Sequence, residues 1–431
     1  MRVAFCALLG RRRPVWRRSK AQNRGFQLSI YIHSHHTQWA VGQGFFRTGH
    51  VNAADITVDY AYDCGSFDRS ARNREIATFA ASRTRPLDVV YLSHFHADHV
   101  NGVPELFRRV GVERFVIPFV PPVERLIIFA AYAAEPGEPG PAVPAGWYEE
   151  LIIDPAATLG ALGNEVEVIV ATQDGTELPQ GPFEGSQDDD YAAVWAPPAT
   201  ATGPSASVDI VRGPRRQPLW LWAPYVLSAT RSRQAAFIGA LAGELGRDAA
   251  SVEQGLQDAA QVRRLVTVEK VSLVKAYRMA SPDLNLTSLC LYSGLTPGSV
   301  PRSHHWRSRK GGVDRPEIAA WDLQPGWLGT GDAPLGNAAN VDDLRAHYLS
   351  VLDGVGVFAL PHHGSRHDFH KDLLAMFGPR QPTCVVGVGV GNTYGHPHAS
   401  VVQAVADHGS HLVAVTGSAS SRWTSSATTR V

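Results

Sequence analysis

The chain of 431 residues carries 40 Lys and Arg against 40 Asp and Glu, so its formal charge is zero and 19% of its residues are charged. This balance argues against a general polyanion-binding protein, while 44% hydrophobic residues are enough for a sizeable core and exclude a disordered chain. Four cysteines without a Cys-x-x-Cys pair exclude a zinc ribbon and a dense disulfide framework. A reducing, cytoplasmic compartment is the simpler expectation.

Positive charge is concentrated at the start of the chain. Residues 1–24 hold seven Arg, one Lys and no acid. Five of these arginines, from Arg11 to Arg18, follow the short apolar stretch Val3 to Leu9, which is the reverse of the order in a secretory signal. We expect a disordered basic leader over residues 1–24, with contact to nucleic acid as the alternative. No window approaches the roughly 20 apolar residues of a membrane span.

The rest of the chain alternates between short apolar runs and helical segments, which predicts an α/β fold. The principal strands are expected at residues 27–32, 38–46, 56–62, 87–92, 112–120, 165–172, 284–292, 355–360, 383–388 and 411–415. Helices are expected between them at residues 73–82, 102–110, 341–352, 368–377 and 400–408.

Several segments interrupt this alternation. Residues 230–281 lack proline and are rich in Ala, Leu, Arg, Glu and Lys, so they predict an inserted pair or trio of helices. Further insertions are expected near residues 120–160 and 180–207, within one domain over residues 25–431. The basic residues 303–312 are expected to form a loop, and the Ser/Thr-rich residues from Ser418 onward a frayed tail.

Four candidate metal ligands lie within six residues, directly after the apolar run Leu87 to Leu92. They are His94, His96, Asp98 and His99. Side chains two apart in an extended segment face the same side, so His94 and His96 can bind one cation while the following turn directs Asp98 and His99 to a second. Imidazole nitrogens and carboxylate oxygens suit zinc. A chance histidine cluster on a surface loop is the alternative, and this spacing at a strand end favours the metal site.

The element His94-x-His96-x-Asp98-His99 resembles the signature of the metallo-β-lactamase superfamily. Residues 62–65, Tyr-Asp-Cys-Gly, resemble the preceding strand end, whose Asp usually braces the histidine loop. The resemblance therefore implies an αββα sandwich with a helical insertion.

Two later segments resemble the remaining ligand loops of this superfamily. Residues 328–332, Leu-Gly-Thr-Gly-Asp, resemble the strand whose Asp bridges two metals, and residues 361–365, Pro-His-His-Gly-Ser, resemble the loop with the last histidine ligand. One of His362 and His363 is expected to bind metal, and its position at the strand end favours His362. The metal ligands that the resemblance implies are His94, His96, Asp98, His99, Asp332 and His362.

A narrower resemblance is to the ComEC-type branch, the nuclease-like domain of the DNA-uptake competence protein and its soluble relatives. It is carried by residues 41–44 (Val-Gly-Gln-Gly), 285–289 (Asn-Leu-Thr-Ser-Leu) and 394–397 (Tyr-Gly-His-Pro), together with the two later ligand loops. The branch implies a stand-alone hydrolase of phosphodiesters, with nucleic acid or a nucleotide as candidate substrates.

One ligand of many superfamily hydrolases is missing. The Pro-Gly-His element, which supplies a third histidine to the first metal, does not occur, and Asn285 lies near its expected place. Two zinc ions are expected. Because of the missing histidine, the first ion is expected to be weakly held or water-rich, or to be manganese or magnesium instead of zinc.

The resemblance also implies a mechanism. Two cations bridged by Asp332 and a water molecule would provide a metal-bound hydroxide at neutral pH. The candidate catalytic residues are Asp98, His363 and His396, and a protonated His363 or His396 would stabilise or protonate the leaving oxygen. For His396, an ordinary position beside a helix cap is the alternative.

Two other functions stay open at this point. The same hydroxide could hydrolyse a carboxylic derivative such as a lactone, a thioester or a β-lactam. A non-catalytic metal-binding module is the third possibility, although a scaffold has no need of an open metal position.

Overall fold

The computed structural model describes residues 30–134, 144–172, 182–184, 190–196, 207–212, 217–228, 231–280, 287–297, 303–314 and 324–431. Within these residues two nine-stranded sheets pack face to face. Helices pack on the outer face of each sheet. The predicted α/β class and αββα sandwich are confirmed.

The first sheet is antiparallel on one side and parallel on the other, with strands β3 to β6 forming the parallel part. In spatial order its strands are β13 (Val313–Asp314), β12 (Ser303–Lys310), β18 (Trp423–Arg430), β1 (Tyr31–Gln38), β2 (Phe46–Ala53), β3 (Ile56–Cys64), β4 (Val89–Tyr91), β5 (Arg114–Pro118) and β6 (Glu167–Ala171).

The second sheet also has a parallel part, formed by strands β14 to β17. In spatial order its strands are β17 (Leu412–Val415), β16 (Thr383–Gly387), β15 (Val355–Ala359), β14 (Gly326–Gly329), β11 (Ser288–Leu295), β10 (Gln217–Leu227), β9 (Ser207–Arg212), β8 (Tyr191–Ala196) and β7 (Pro182–Glu184).

Side chains of Asp or Asn cap several of the helices, as at Asp68, Asp248 and Asn337, where the side chain accepts from a backbone N–H of the first turn. The helices are α1 (Arg69–Ala81), α2 (Ala97–Val100), α3 (Val103–Val110), α4 (Pro122–Ala134), α5 (Trp147–Ile153), α6 (Pro155–Gly160), α7 (Arg231–Leu245), α8 (Ala249–Gly255), α9 (Ala259–Thr267), α10 (Lys270–Ala280), α11 (Ala338–Tyr348) and α12 (Ala399–Asp407). Short 3₁₀ turns lie at Leu352–Gly354, Pro361–Gly364, Leu374–Phe377 and Ala419–Ser421.

Large aromatic side chains join aliphatic ones in the core between the sheets. Tyr62 of the first sheet packs edge-to-face on Trp327 of the second, with ring centroids 5.0 Å apart. The inserted helices α7 to α10 share a separate buried cluster with α4, α5 and the outer face of the first sheet. None of the helices in the described ranges has the length and apolar character to cross a bilayer.

Two segments expected to be irregular are strands. Residues 303–310, predicted as a loop, form β12, and the predicted frayed tail contributes β18, which pairs along its whole length with β12 and with β1. The tail prediction was wrong because the inward positions of β18 include Ser425 and Thr429, so the usual apolar alternation is missing from the sequence. The predicted leader at residues 1–24 and Asn285 lie outside the described residues.

Candidate metal centre

The carboxyl ends of parallel strands from both sheets meet at one edge of the sandwich. The loop after β4 carries His94 to His99, and the loop after β14 carries Asp332. The backbone N–H of Leu289 donates to the carbonyl of Ser93 at 2.7 Å, and the N–H of His362 donates to the carbonyl of Gly331 at 3.0 Å. The first bond joins β11 to the start of the histidine loop, and the second joins the loop of His362 to that of Asp332.

The carboxylate of Asp332 lies at the centre of this contact. Its Oδ2 is 3.3 Å from Nε2 of His94, 3.6 Å from Nδ1 of His96 and 3.7 Å from Nε2 of His362. Its Oδ1 is 3.4 Å from Nε2 of His99. The two oxygens of one side chain therefore face two different groups of imidazoles.

A second cluster lies on the Oδ1 side. Nε2 of His363 is 3.3 Å from Oδ2 of Asp98, and Nε2 of His99 is 4.0 Å from the same oxygen. Ligand-type atoms of Asp98, His99 and His363 lie within 4.8 Å of one another, as do those of His94, His96 and Asp332. Two sets of three donors thus lie side by side.

The donor atoms fit divalent cations. In the part of the chain that the structure describes, Nε2 of His94, His99 and His363 and Oδ1 of Asp332 are buried and make no hydrogen bond. A tetrahedral zinc ion with bonds of about 2.0–2.1 Å separates its ligands by roughly 3.3–3.4 Å, close to the shorter of the separations observed. Both groups therefore have the chemistry and the spacing of metal sites.

A glycine makes the approach of Asp332 feasible. Gly331 has a φ of 53°, and a Cβ at this position would lie 2.4 Å from Cβ of Ser93 and 2.5 Å from Oγ of Ser288. Any larger residue would therefore push the Asp332 loop away from the histidine loop.

Two successive residues with left-handed backbones aim His362 and His363 apart. Their φ values are 44° and 53°, a conformation that costs a non-glycine residue on the order of 1 kcal/mol or more. Nδ1 of His363 lies 2.8 Å from the carbonyl oxygen of Gly387, and Nδ1 of His362 lies 2.6 Å from Oδ2 of Asp368. A ring that donates from Nδ1 presents the lone pair of Nε2, so both histidines are oriented as ligands.

Asp63 braces the histidine loop. Its backbone is also left-handed, with a φ of 55°, and its buried carboxylate accepts from the N–H of Ser93 at 2.6 Å and from Oγ of Ser93 at 2.7 Å. Nδ1 of His99 lies 2.8 Å from the same carboxylate. When Nδ1 of His99 donates its hydrogen bond to Asp63, the lone pair of Nε2 stays available to a metal ion on the side of Asp332.

We expect the Asp63→Asn variant to keep the fold and to bind metal about 10- to 100-fold more weakly, because an amide can no longer accept from both Ser93 and His99. Titration against a chromogenic chelator would measure the loss. The exposed Asp407→Asn on α12 is the control. Unchanged affinity in Asp63→Asn would show that the brace is dispensable.

Burial and the close packing of these side chains shift their pKa values far from the usual ones. Burial, reinforced by the neighbouring His99, lowers the pKa of His94 to about 3. Burial alone would lower the pKa of His99, but the carboxylates of Asp332 and Asp98 raise it well above its usual value. Burial alone would raise the pKa of Asp332, and the imidazoles of His362, His99 and His94 hold it well below its usual range.

The stability of the metal-free protein should fall as pH rises from about 6.5 to about 9. Burial alone would lower the pKa of His362, but Asp332 and Asp368 raise it to about 9. The charged ring stabilises the folded state fully below the unfolded value of roughly 6.5, and this contribution is lost as pH rises through the folded value. Metal affinity should rise over the same window, because protons compete less for the ligand. Thermal melts with and without chelator, from pH 6 to 10, would show the two opposite trends, and parallel trends would contradict this interpretation.

His396 borders the centre. Its ring centroid is 5.5 Å from that of His362, and the half-exposed ring of Tyr394 stacks on it at 5.8 Å. Asn392 holds its backbone, accepting from the His396 N–H at 2.9 Å and donating to its carbonyl at 2.8 Å. Burial, followed by the effect of His362 and His363, lowers the pKa of His396 to about 4. The ring is therefore neutral at pH 7.

Three supporting residues were not singled out from the sequence. Asp368 orients His362, and only its place six residues downstream could have suggested it. Glu124 of α4 accepts from the backbone N–H and the hydroxyl of Thr287, next to the strand that contacts Ser93. Tyr148 of α5 donates to the carbonyl of Phe95 at 2.9 Å, which ties α5 to the histidine loop. No local motif predicts the last two contacts.

The structure brings all the predicted site residues to one edge of the sandwich, and they are His94, His96, Asp98, His99, Asp332, His362, His363 and His396. Their roles stay predictions. The geometry places His363 with the second group of donors and His362 next to the first.

Comparisons with known proteins agree with this fold. Residues 62–188 match the family model described as the metallo-beta-lactamase superfamily. A search of curated proteins gives no match.

Solved structures with detectable similarity are distant. The metallo-beta-lactamase fold protein YhfI from Bacillus subtilis is 13% identical, with a TM-score of 0.19, and the alignment covers 42% of this chain and 59% of YhfI. Unliganded yeast PDE1 is 8% identical, with a TM-score of 0.35 and coverage of 93% and 100%. A metallo-beta-lactamase variant from Cronobacter sakazakii is 13% identical, with a TM-score of 0.20 and coverage of 56% and 89%.

Proposed function

We propose that this chain, whose residues 62–188 match the family model of the metallo-beta-lactamase superfamily, is a two-metal hydrolase of phosphodiesters, with zinc as the expected ion. The observation that carries the proposal is the carboxylate of Asp332, which turns one oxygen toward each of two donor groups. The assignment to the ComEC-type branch is part of the proposal and supplies the preference for phosphodiesters.

The two histidines of the His-His-Gly-Ser loop would each serve a different ion. In this arrangement His362 takes the place of the third histidine that the missing Pro-Gly-His element would supply. The ligands of the first ion would be His94, His96, His362 and Oδ2 of Asp332, and those of the second would be Asp98, His99, His363 and Oδ1 of Asp332. Each ion would then have four protein donors.

Two divalent cations bound here would lower the pKa of a shared water to roughly 7 and neutralise charge on the phosphate oxygens. The carboxylates of Asp98 and Asp332 lie between the imidazoles that would bind the ions. Asp63 accepts a hydrogen bond from Nδ1 of His99 and so fixes the tautomer of this ring. A protein nucleophile is not needed. Burial raises the pKa of the thiols of Cys64 and Cys290 well above the usual value, so neither is a candidate.

His396 is the residue placed to meet the leaving group. Because its ring is neutral at pH 7, it would donate a hydrogen bond from an imidazole N–H to the leaving oxygen. Nδ1 of His363 lies 2.8 Å from the carbonyl oxygen of Gly387, and Nε2 faces Asp98 at 3.3 Å, where it would bind the second ion. In this arrangement His363 serves as a metal ligand, and His396 is the residue that would donate a hydrogen bond to the leaving oxygen.

The test compares substrate classes on purified protein loaded in turn with zinc, manganese and magnesium. The substrates are bis(p-nitrophenyl) phosphate, a chromogenic β-lactam and a chromogenic thioester. We expect the protein to hydrolyse the phosphodiester and a chelator to abolish this activity. The control variant, with the exposed His411→Ala, should be as active as the unaltered protein. Turnover of the acyl substrates alone would move the function to carboxylic derivatives, and no turnover with any metal would leave only a metal-binding module.

A further inference from the structure

One face of the sandwich differs sharply in charge from the rest of the chain. The strands β12, β18, β1 and β2 lie side by side, and their 32 residues include five Lys or Arg and six His but no Asp or Glu. Arg47 and His36 are buried in the core, and the outward arginines are Arg307, Arg309 and Arg430. The whole chain has 40 acids in 431 residues, so about three would be expected in this stretch. The absence of acids marks the strands as a basic region within a protein of zero formal charge.

The register places the outward side chains of these strands in rows. One row runs His33, Thr428, His305, and the next runs His35, Ser426, Arg307. The remaining outward positions add Tyr31, Thr424, Arg309, Arg430, His50 and Asn52.

We call these side chains the basic face. Alternate positions along β1, β12 and β18 are exposed or half-exposed, and Tyr31 is 52% exposed. The core cluster that holds the helices against the first sheet includes no residue from β1, β12 or β18 among the described part of the chain. The described helices of this cluster therefore lie over the other end of the sheet, and none of them packs on the basic face.

Both flanking strands carry an acid. On one edge, β13 places Asp314 opposite Arg309 in the register. On the other edge, the carboxylate of Asp59 on β3 is only 2% exposed and is bound by Arg83, with contacts of 2.9 and 2.5 Å. Nδ1 of His50 lies 2.7 Å from the same carboxylate. Asp59 is thus already neutralised by its own partners.

We propose that the basic face binds single-stranded nucleic acid. The guanidinium groups of Arg307, Arg309 and Arg430 can contact phosphates, and the row of Ser and Thr hydroxyls on β18 can donate between them. Tyr31 and the exposed His33 offer flat rings on which unpaired bases can stack. A flat sheet with rings and cations suits splayed bases better than the grooves of a duplex.

The basic face extends toward the metal centre. Gln38 of β1 pairs with Trp423 of β18, which pairs with Lys310 of β12, at the end of the sheet where the chain continues into residues 39–45. There the ring of Phe45 stacks on His99 at 6.5 Å, and its N–H donates to the carbonyl of Asp98 at 3.3 Å. Binding needs no metal, so it is independent of the proposed function. The further step, that the bound nucleic acid is also the substrate of the metal centre, rests on the proposed function.

The test is fluorescence anisotropy with a 20-nucleotide labelled oligothymidine, measured in chelator over a range of salt. The Arg307→Glu/Arg309→Glu double variant should bind at least about 10-fold more weakly, and its salt slope should fall by roughly 1.4, about 0.7 per lost cation. Tyr31→Ala should weaken binding by about 5- to 100-fold. Arg345→Glu, on the exposed side of α11 over the other sheet, is the matched control and should bind like the unaltered protein.

Several results would overturn the inference. They are failure of the unaltered protein to bind, equal binding by the double variant and the Arg345→Glu control when both fold, and equal or tighter binding of a duplex of the same length. Hydrolysis of bis(p-nitrophenyl) phosphate is measured on the same variants. Normal hydrolysis without oligonucleotide binding rejects the basic face alone, whereas binding without hydrolysis by any metal form rejects the proposed function alone.

Discussion

Replacement of Asp332 by Asn is expected to remove both metal ions and to lower kcat/KM for a phosphodiester by at least about 10³-fold, equivalent to ~4 kcal/mol. The carboxylate is the one side chain in the described ranges that faces both donor groups, with His94 at 3.3 Å from one oxygen and His99 at 3.4 Å from the other. An amide keeps the size of the side chain but supplies only one weak oxygen donor. Elemental analysis of the purified variant, together with its kinetics, measures both effects.

The control for Asp332→Asn is Asp407→Asn, an exposed carboxylate on α12. It should retain full metal content and activity. If Asp332→Asn kept two ions, the carboxylate could not be the bridge, and the assignment of the two sites would have to be abandoned.

Replacement of His363 by Ala is expected to remove the second ion, to leave the first in place and to lower kcat/KM by about 10²- to 10³-fold. Nε2 of His363 lies 3.3 Å from Oδ2 of Asp98, and Nδ1 contacts the carbonyl oxygen of Gly387. Nε2 is therefore the nitrogen left to bind a metal ion, and it points to the second group of ligands. Elemental analysis should give about one ion per chain. His362→Ala should instead weaken the first ion.

The exposed His367→Ala, four residues downstream in the same loop, controls for general disturbance of the segment and should keep both ions. If His363→Ala retained both ions and lost activity through a changed pH profile, His363 would be an acid, as the sequence suggested. If His362→Ala retained both ions tightly, the first site would have another ligand.

The sequence was most informative where chemistry depends on short-range geometry. The spacing of His94, His96, Asp98 and His99 after a buried strand is enough to place four donors on one turn. Asp332 and the His-His pair were predicted from their resemblance to the ligand loops of the superfamily. Each follows a parallel strand, and the carboxyl ends of parallel strands meet at one edge of a sheet.

Other features depend on contacts that no local pattern encodes. The direction of each ring in the His-His pair is set by two left-handed backbone conformations and by distant partners, Asp368 and Gly387. The strands β12 and β18 were missed for a different reason. Their outward positions carry Arg, His, Ser and Thr, and β18 places Ser425 and Thr429 inward, so neither strand shows the alternation from which strands are recognised. Pairing along both edges of β18 stabilises it instead.

The adjacent residues His362 and His363 are expected to bind different ions. In the proposed arrangement His362 would replace the missing Pro-Gly-His ligand, so the first ion would not be weakly held. With four donors at each site, the two ions should be lost at similar chelator concentrations, and equilibrium dialysis against graded chelator would follow them separately in the His362→Ala and His363→Ala variants.

The most direct measurement is anomalous diffraction from crystals of zinc-loaded protein, with data collected on both sides of the zinc absorption edge. Two peaks are predicted about 3.5–4 Å apart, one on each side of the Asp332 carboxylate, the first within bonding distance of His94, His96 and His362 and the second of Asp98, His99 and His363. A single peak, or two peaks that Asp332 does not bridge, would contradict the account.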